Sequence, residues 1–315
     1  MISVLESRKV PWSEVRLFAS ADSVGEVYRV GADEVEVKEL TAGCFAGVDI
    51  ALFATSAELS KEFVPQAVEA GAYAIDNSSY FRMQQDVPLI VPEVNWSALK
   101  PGQHLIANPN CSTIQLMPVL KAIHEAAGLK RVVISSYQSV SGAGKAALDE
   151  LWGQTIAVFN QRELEIEEFP HQIAFNCIPQ IDLILENGYT KEEAKIINES
   201  RKILGLPELR ITATAVRVPV LHSHAESVNI ETERPLSPAQ CIELLQGAEG
   251  LTVYSDSAEY PLQLEVTGTD EIHVGRIRAD ESVPHGLNMW IVADNLRKGA
   301  ALNAVQIAER LIQAA

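Results

Sequence analysis

The run Val48-Asp49-Ile50-Ala51-Leu52-Phe53-Ala54-Thr55, the segment from Glu58 to Ala70 and the run Tyr73-Ala74-Ile75-Asp76-Asn77 together decide the fold. The first run is apolar on both alternating faces, which suits a strand in a sheet covered by helices on each side. In the middle segment Leu59, Phe63, Val64, Ala67 and Val68 recur at helical spacing. Strand, helix and second apolar run make a parallel βαβ unit. Working outward, Val15–Ser20, Leu89–Val94 and His104–Asn108 read as further strands of the same sheet. Ahead of them, Met1 to Val15 predicts a helix with Ile2, Val4 and Leu5 on one face, closed by Pro11.

Beyond residue 110 the pattern changes. A strand over Arg131–Gln138 leads through Ser139–Gly144 into a helix over Lys145–Asn160, and a second helix spans Lys191–Leu204. Strands then follow in series at Ile211–Val220, Ser227–Glu233, Glu271–Ala279 and Leu287–Ala293. Such a series implies a mixed or antiparallel sheet in a domain of α+β type. The chain closes on a helix over Gly299–Ala314, with Ala300, Val305, Ile307, Ala308 and Leu311 as its apolar stripe. The expectation is an α/β chain: residues 1–109 with 294–315 as a doubly wound parallel sheet of Rossmann type, and 110–293 as the substrate and dimerisation domain. No glycine-rich GxGxxG turn occurs between a strand and a helix, so the first strand and phosphate loop of that sheet are expected to be missing.

The chain has 315 residues, 25 Lys+Arg against 42 Asp+Glu, a net charge of −17 and 47% apolar residues. This is globular composition. The acidic balance argues against nucleic acid, which needs a basic face. No apolar run reaches the ~18 residues of a membrane span, and no signal-peptide pattern opens the chain. Cys44, Cys111, Cys177 and Cys241 form no CxxC and no cluster with histidine. They fit neither a disulfide framework nor a metal site, and they fit a reducing, cytoplasmic compartment.

Ile106-Ala107-Asn108-Pro109-Asn110-Cys111-Ser112-Thr113-Ile114 ends a strand and opens a helix. A cysteine in a first helical turn meets unpaired N–H groups and the positive end of the dipole, which favour thiolate. Asn110 is a candidate cap, and nearby N–H groups could hold an oxyanion. Buried cysteine is also a small hydrophobe; the local polarity favours a nucleophile at Cys111, and the other three read as core. A nucleophile needs a proton shuttle, and His222 and His224 follow the strand that carries Arg217. In a regular strand Arg217 and His224 would face opposite ways, but Pro219 breaks the ladder. Arg217 in an apolar strand is costly unless it meets an anion. Arg82 lies on a loop after a strand, the edge where α/β proteins bind ligands. Glu192 and Lys195 read locally as an ordinary i, i+3 surface pair.

Asn108-Pro109-Asn110-Cys111-Ser112-Thr113, Tyr137-Gln138-Ser139-Val140-Ser141-Gly142-Ala143-Gly144 and Val216-Arg217-Val218-Pro219-Val220 together resemble the aspartate-β-semialdehyde dehydrogenase family. The likeness continues through Gln172–Asn176, Asn187–Glu193 and Asp294–Ala301. The resemblance implies reduction of 4-aspartyl phosphate to aspartate semialdehyde with NADPH oxidised and phosphate released, upstream of lysine, threonine and methionine. It implies Cys111 as the nucleophile that becomes acylated, Gln138 as the group orienting the acyl enzyme and His224 as acid/base. Arg217 would clamp the α-carboxylate, Glu192 would meet the ammonium, Asn110 would lie at the substrate, and Arg82 and Lys195 would bind phosphate. Ser141, Gly142 and Asn295 would lie near the NADP nicotinamide. A homodimer or dimer of dimers is implied as well.

Three departures from the family pattern fall on the cofactor side. The opening strand with its Gly-Ala-Thr-Gly loop is absent, Ser56-Ala57 stands where a Gly-Gly pair is usual, and Asp22 stands where a basic residue often meets the 2′-phosphate. Ser20 and Ser23 remain as hydrogen-bond donors to that phosphate. Two other readings compete: a non-catalytic paralogue that keeps the oligomer interface, and reduction of N-acetyl-glutamyl phosphate. An ammonium partner at Glu192 argues against the latter, since an acetylated amine carries no charge.

Overall fold

A computed structural model describes residues 1–314 and divides the chain into two compact units. The first takes Met1–Ile90, Ser97–Asn108 and the chain from Ala301 onward; the second takes Val91–Trp96 and Pro109–Ala300.

In the first unit the expected N-terminal helix is α1 (Ile2–Ser7). It buries Val4, which clusters with Val10, Ala301, Leu302 and Val305 at the start of the C-terminal helix. Arg8 grips Glu309 of that helix through two hydrogen bonds of 2.7 and 2.8 Å. Strand β1 (Leu17–Ala19) pairs in parallel with β3 (Asp33–Glu39), which forms a hairpin with β2 (Val27–Val30) through a turn at Gly31, φ +65°. This hairpin was not expected, because its strands carry exposed charges rather than an apolar alternation. The βαβ unit is β4 (Ile50–Phe53), α2 (Ala57–Glu69) and β5 (Tyr73–Asp76). Ser56 caps α2, whose Phe63, Val64 and Ala67 are buried while Leu59 is exposed.

The run Leu89–Val94 is not a strand. Leu89 makes one parallel bridge to Ala107, and the chain then turns into the short helix α3 (Pro92–Asn95). Proline at the first helical position has the right φ and no N–H to lose there, so Pro92 starts a helix where apolar content suggested extension. Strand β6 (Leu105–Ala107) completes a parallel sheet in the order β4-β5-β6. The parallel strands of this unit thus fall in two three-stranded sheets, β1-β3-β2 and β4-β5-β6.

Helix α3 already belongs to the second unit, whose main stretch opens with α4 (Cys111–Ala127), buried over most of its circumference. Its sheet contains β7 (Leu129–Gln138), β8 (Arg210–Arg217), β9 (His224–Thr232), β10 (Leu251–Val253), β11 (Ile272–Asp280) and β12 (Gly286–Ala293). The order is β10-β11-β12-β9-β7-β8 with mixed directions, as expected for an α+β domain. Helices α5 (Lys145–Phe159) and α6 (Lys191–Leu204) form where periodicity placed them. Thr190 and Glu193 make a capping box at the head of α6, and Gly205 at φ +67° ends it. Helix α7 (Pro238–Gln246) was missed, although Ser237 and Gln240 write a capping box before it; the short α8 (Gln263–Val266) follows. Residues 294–300 stay in this unit rather than joining the first. Asp294 accepts the backbone N–H of Gly268, Leu296 and Arg297, and Lys298 is buried against Glu93 at 2.7 Å. The closing helix α9 (Leu302–Ala314) follows a π-turn over Arg297–Ala301.

Candidate active site

Cys111 is the first residue of α4. The Asn110 side-chain oxygen caps this helix, accepting from Ser112 N at 3.0 Å and Thr113 N at 3.4 Å. Two carboxylates of α6 hold Asn110 in turn: its backbone N donates to Glu199 Oε2 at 2.6 Å, and its Nδ2 donates to Glu192 Oε1 at 2.9 Å. On the other side Gly299 lies so close that a Cβ there would sit 2.9 Å from Cys111 Cβ. The thiol-bearing residue is therefore fixed by both its neighbours.

Across the sheet, Arg217, Gln138 and His224 occupy one line. Gln138 ends β7 and is in register with Arg217 at the end of β8 and with His224 at the start of β9. The chain leaves β8 after Arg217, and its return into β9 passes through Ser223 at φ +67°. Arg217 and His224 therefore belong to different strands flanking β7, which removes the opposite-face problem of a single strand. Gln138 Nε2 also donates to Glu192 Oε1 at 3.3 Å. Ser139 holds both outer members: its carbonyl accepts from Arg217 Nη1 at 2.7 Å, and its N–H donates to His224 Nδ1 at 3.1 Å. That bond makes Nδ1 an acceptor and leaves the proton of neutral His224 on Nε2. Nε2 itself is buried with no hydrogen-bond partner among the described residues. Gly142 fills the remaining gap, its would-be Cβ 3.1 Å from Arg217 Nη1 and 3.2 Å from His224 Nε2.

The electrostatics follow from burial. His224 is fully buried, and desolvation, reinforced by the Arg217 charge, pushes its pKa down to about 3. It is a neutral imidazole at pH 7, and its unpartnered Nε2–H is a hydrogen-bond donor. Burial also lowers Arg217, against the opposing pull of Cys111 and Glu192. For Lys195 burial acts downward, but Glu192 and Asp182 outweigh it and hold the ammonium above its ordinary pKa. Glu192 is itself buried, so the Glu192–Lys195 pair is not the solvated pair its spacing suggested.

Ser141 and Asn295 form a second layer. Asn295 Oδ1 accepts from Ser223 N at 2.9 Å and from the Ser139 and Ser141 hydroxyls at 3.2 Å, while its Nδ2 donates to Ser141 Oγ at 3.1 Å. Its amide is spent on holding these loops. Arg82, Ser20 and Ser23 belong to the first unit. Arg82 Nη2 donates to Asn77 O at 2.7 Å, on a loop stiffened by buried Asp76 through both Ser60 and Ser78. Ser20 and Ser23 flank a turn at the carboxyl end of β1, and the Ser20 hydroxyl does not cap that turn. The end of a parallel strand with free hydroxyls suits a nucleotide ribose, whereas the Asp22 carboxylate in the same turn disfavours an added phosphate.

Residues 1–101 match the family described as "Semialdehyde dehydrogenase, NAD binding domain", and residues 120–298 match "Semialdehyde dehydrogenase, dimerisation domain". Aspartate-semialdehyde dehydrogenase 2 of Vibrio cholerae is 47% identical over 316 residues, covering 99% of this chain and 94% of its own length. The chain belongs to the aspartate-semialdehyde dehydrogenase family. The Bacillus subtilis enzyme of the same name is 44% identical over 99% of this chain and 93% of its own. A crystal structure of aspartate semialdehyde dehydrogenase II from Vibrio cholerae superposes with a TM-score of 0.97, covering 99% of this chain and 94% of that one at 47% identity. The family's two domains are thus both present: an NAD(P)-binding domain with parallel strands and a dimerisation domain.

Membership does not single out Ser139, Glu199 or Gly299, and sequence reading missed all three. Ser139 stands inside a quoted motif as one small residue among several, Glu199 looks like any helix carboxylate, and Gly299 looks like a helix start. Glu226 was missed too. It is two residues past His224 on β9, fully buried, and neither carboxyl oxygen makes a hydrogen bond of normal geometry. Burial pushes it well above its ordinary pKa, against the pull of the nearby Gln115 amide. Among the described residues no group of three or more His, Cys, Asp or Glu is placed to hold a metal, and no helix is long and apolar enough to cross a membrane.

Proposed function

We propose that the protein interconverts 4-aspartyl phosphate and aspartate 4-semialdehyde, with NADP as redox partner, through an acyl group carried on Cys111. The observation that carries this reading is the cluster around Cys111. It holds one thiol at a helix head, one neutral buried imidazole, one cation for a carboxylate and one buried anion for an ammonium.

In the reductive direction His224 Nδ1 is occupied by Ser139 N–H, so the edge it offers the acyl group is Nε2–H, a hydrogen-bond donor. The Cys111 sulfur attacks the acyl carbon, the carbon–oxygen bond to phosphate breaks, and phosphate leaves with the electron pair. Lys195 and Arg82 meet that growing charge. Arg217 takes the α-carboxylate bidentately and Glu192 the ammonium, which fixes the acyl carbon at the sulfur. Binding a carboxylate at Arg217 also offsets the charge that holds His224 down, so substrate itself makes the imidazole more basic. Gln138 Nε2 is the side-chain donor for the oxyanion at the acyl carbon, since the Ser112 and Thr113 N–H groups are taken by the Asn110 cap. When bound, the reduced nicotinamide supplies the hydride to that carbon. The carbon–sulfur bond then breaks and the aldehyde is released.

Ser20 and Ser23 are the residues for the adenosine ribose and the hydrogen-bond donors that would hold its phosphate against the Asp22 carboxylate of the same turn, with Ser141 and Gly142 at the nicotinamide and Asn295 holding Ser141. Exposed apolar Trp152, Ile156 and Phe159 on α5, with Phe175, Leu183 and Ile184, support assembly as a homodimer or dimer of dimers. Four free thiols fit a cytoplasmic protein.

The test is phosphate-dependent reduction of NADP by aspartate semialdehyde. Turnover abolished by Cys111→Ser is expected. Activity that survives that change, or a preference for N-acetyl-glutamate semialdehyde, would contradict the reading.

A further inference from the structure

Lys195 lies between two carboxylates, and the charges do not balance once a phosphoryl group is added. Its Nζ donates to Glu192 Oε2 at 3.2 Å and to Asp182 Oδ2 at 3.0 Å. Glu192 also feels the Arg217 charge and is to receive the substrate ammonium, so Asp182 is the carboxylate with which an incoming dianion competes for Lys195.

The two are not equally free. Glu192 is buried on α6, and its other oxygen accepts from Asn110 Nδ2 and Gln138 Nε2. Asp182 lies in the connection before α6, outside any helix or strand, at φ +68° with its side chain about one-third exposed. Apart from Lys195, its carboxylate accepts from the adjacent Leu183 N at 2.8 Å. Lys191, at the first position of α6, is close enough for its charge to favour ionised Asp182, although burial opposes this. A second cation therefore stands by for the released carboxylate.

We propose that Asp182 is a displaceable counter-ion: it occupies the Lys195 ammonium in the free protein and moves off toward Lys191 when phosphate or the acyl phosphate binds. This rests on the reading of Lys195 as a phosphate binder. Asp182 acts through Lys195 and touches no reacting atom, so it is a positioning residue. It sets phosphate affinity without entering the bond-making steps. It also makes the subsite selective, because a weakly held anion does not displace a carboxylate already in place.

Inorganic phosphate is titrated calorimetrically into the full chain, and the phosphate KM is measured during oxidation of aspartate semialdehyde. Asp182→Asn keeps a residue type that tolerates positive φ. It should tighten phosphate about twofold to fivefold in both measurements, as expected for removing a partly exposed competing pair. The KM for aspartate semialdehyde and the kcat should stay put. Asp182→Glu should behave as the natural protein, and Asp182→Ser should reproduce the tightening if Asn folds poorly. Lys195→Met should weaken phosphate about tenfold or more, and adding Asp182→Asn to it should change nothing further. If Lys195→Met weakens phosphate while Asp182→Asn leaves it unchanged or weaker, the counter-ion role is overturned and the phosphate subsite stands. If Lys195→Met leaves phosphate binding intact, the subsite reading fails and takes the counter-ion with it.

Discussion

Gly142→Ala puts one methyl group between the two outer members of the Arg217–Gln138–His224 line. The backbone at Gly142 is not left-handed, so alanine is allowed there by its φ. The new Cβ would stand 3.1 Å from Arg217 Nη1 and 3.2 Å from both Cε1 and Nε2 of His224. Ordinary contact begins near ~3.5 Å, so each partner must retreat by about 0.3–0.4 Å. Neither retreats freely, since Ser139 holds Arg217 at 2.7 Å and His224 at 3.1 Å. Overpacking of this kind costs about 1–3 kcal/mol. If that cost falls on the geometry of the reacting complex, kcat/KM drops about fivefold to 150-fold. Steady-state kinetics in aspartate semialdehyde, with NADP and phosphate saturating, measures the drop, and a melting curve verifies that the fold is intact. A folded variant whose kcat/KM stays within a factor of two would refute the idea that Arg217 and His224 act from these positions.

Gly299→Ala should be worse for folding, because its Cβ would meet Cys111 Cβ at 2.9 Å inside a closed contact; a fall in melting temperature together with lost activity is expected. Glu226→Gln should raise the melting temperature at pH 8 and do so less at pH 5. The buried carboxyl stays protonated where the unfolded chain ionises, so its contribution is lost as pH rises above the unfolded value near ~4.5, and glutamine removes that loss. His224 gives the opposite slope. Its folded pKa of about 3 lies below the unfolded 6.5, so stability falls below pH 6.5 by up to about 1.4 kcal/mol per pH unit, and His224→Asn should flatten denaturant midpoints between pH 6.5 and 5.

Local pattern was enough for the βαβ unit at 48–77, for α5 and α6, and for the change to a mixed sheet beyond residue 129. These depend on periodicity and caps that neighbouring residues carry. It was not enough where one residue type serves two structures, as at Leu89–Val94, where apolar content hid a helix begun by Pro92. The charged hairpin β2–β3 was invisible for the converse reason. At the site, the helix head at Asn110-Cys111 was legible because a cap and its N–H groups are adjacent in sequence. The line through Arg217, Gln138 and His224 was not, because strand register across β8, β7 and β9 is a long-range property. Glu192 and Lys195 show the limit most clearly: their spacing describes a surface pair, and only the packing of α6 against α4 turns Glu192 into a buried ligand of Asn110.

Acylation of Cys111 is tested most directly by withholding phosphate. Aspartate semialdehyde and NADP, mixed with the protein at stoichiometric concentration, should give a burst of a single equivalent of NADPH per chain. Mass spectrometry of the quenched protein should then find one aspartyl group on the peptide that carries Cys111, and added phosphate should discharge it. A burst with no adduct on that peptide, or an adduct on Cys44, Cys177 or Cys241 instead, would contradict the assignment of Cys111 as the nucleophile.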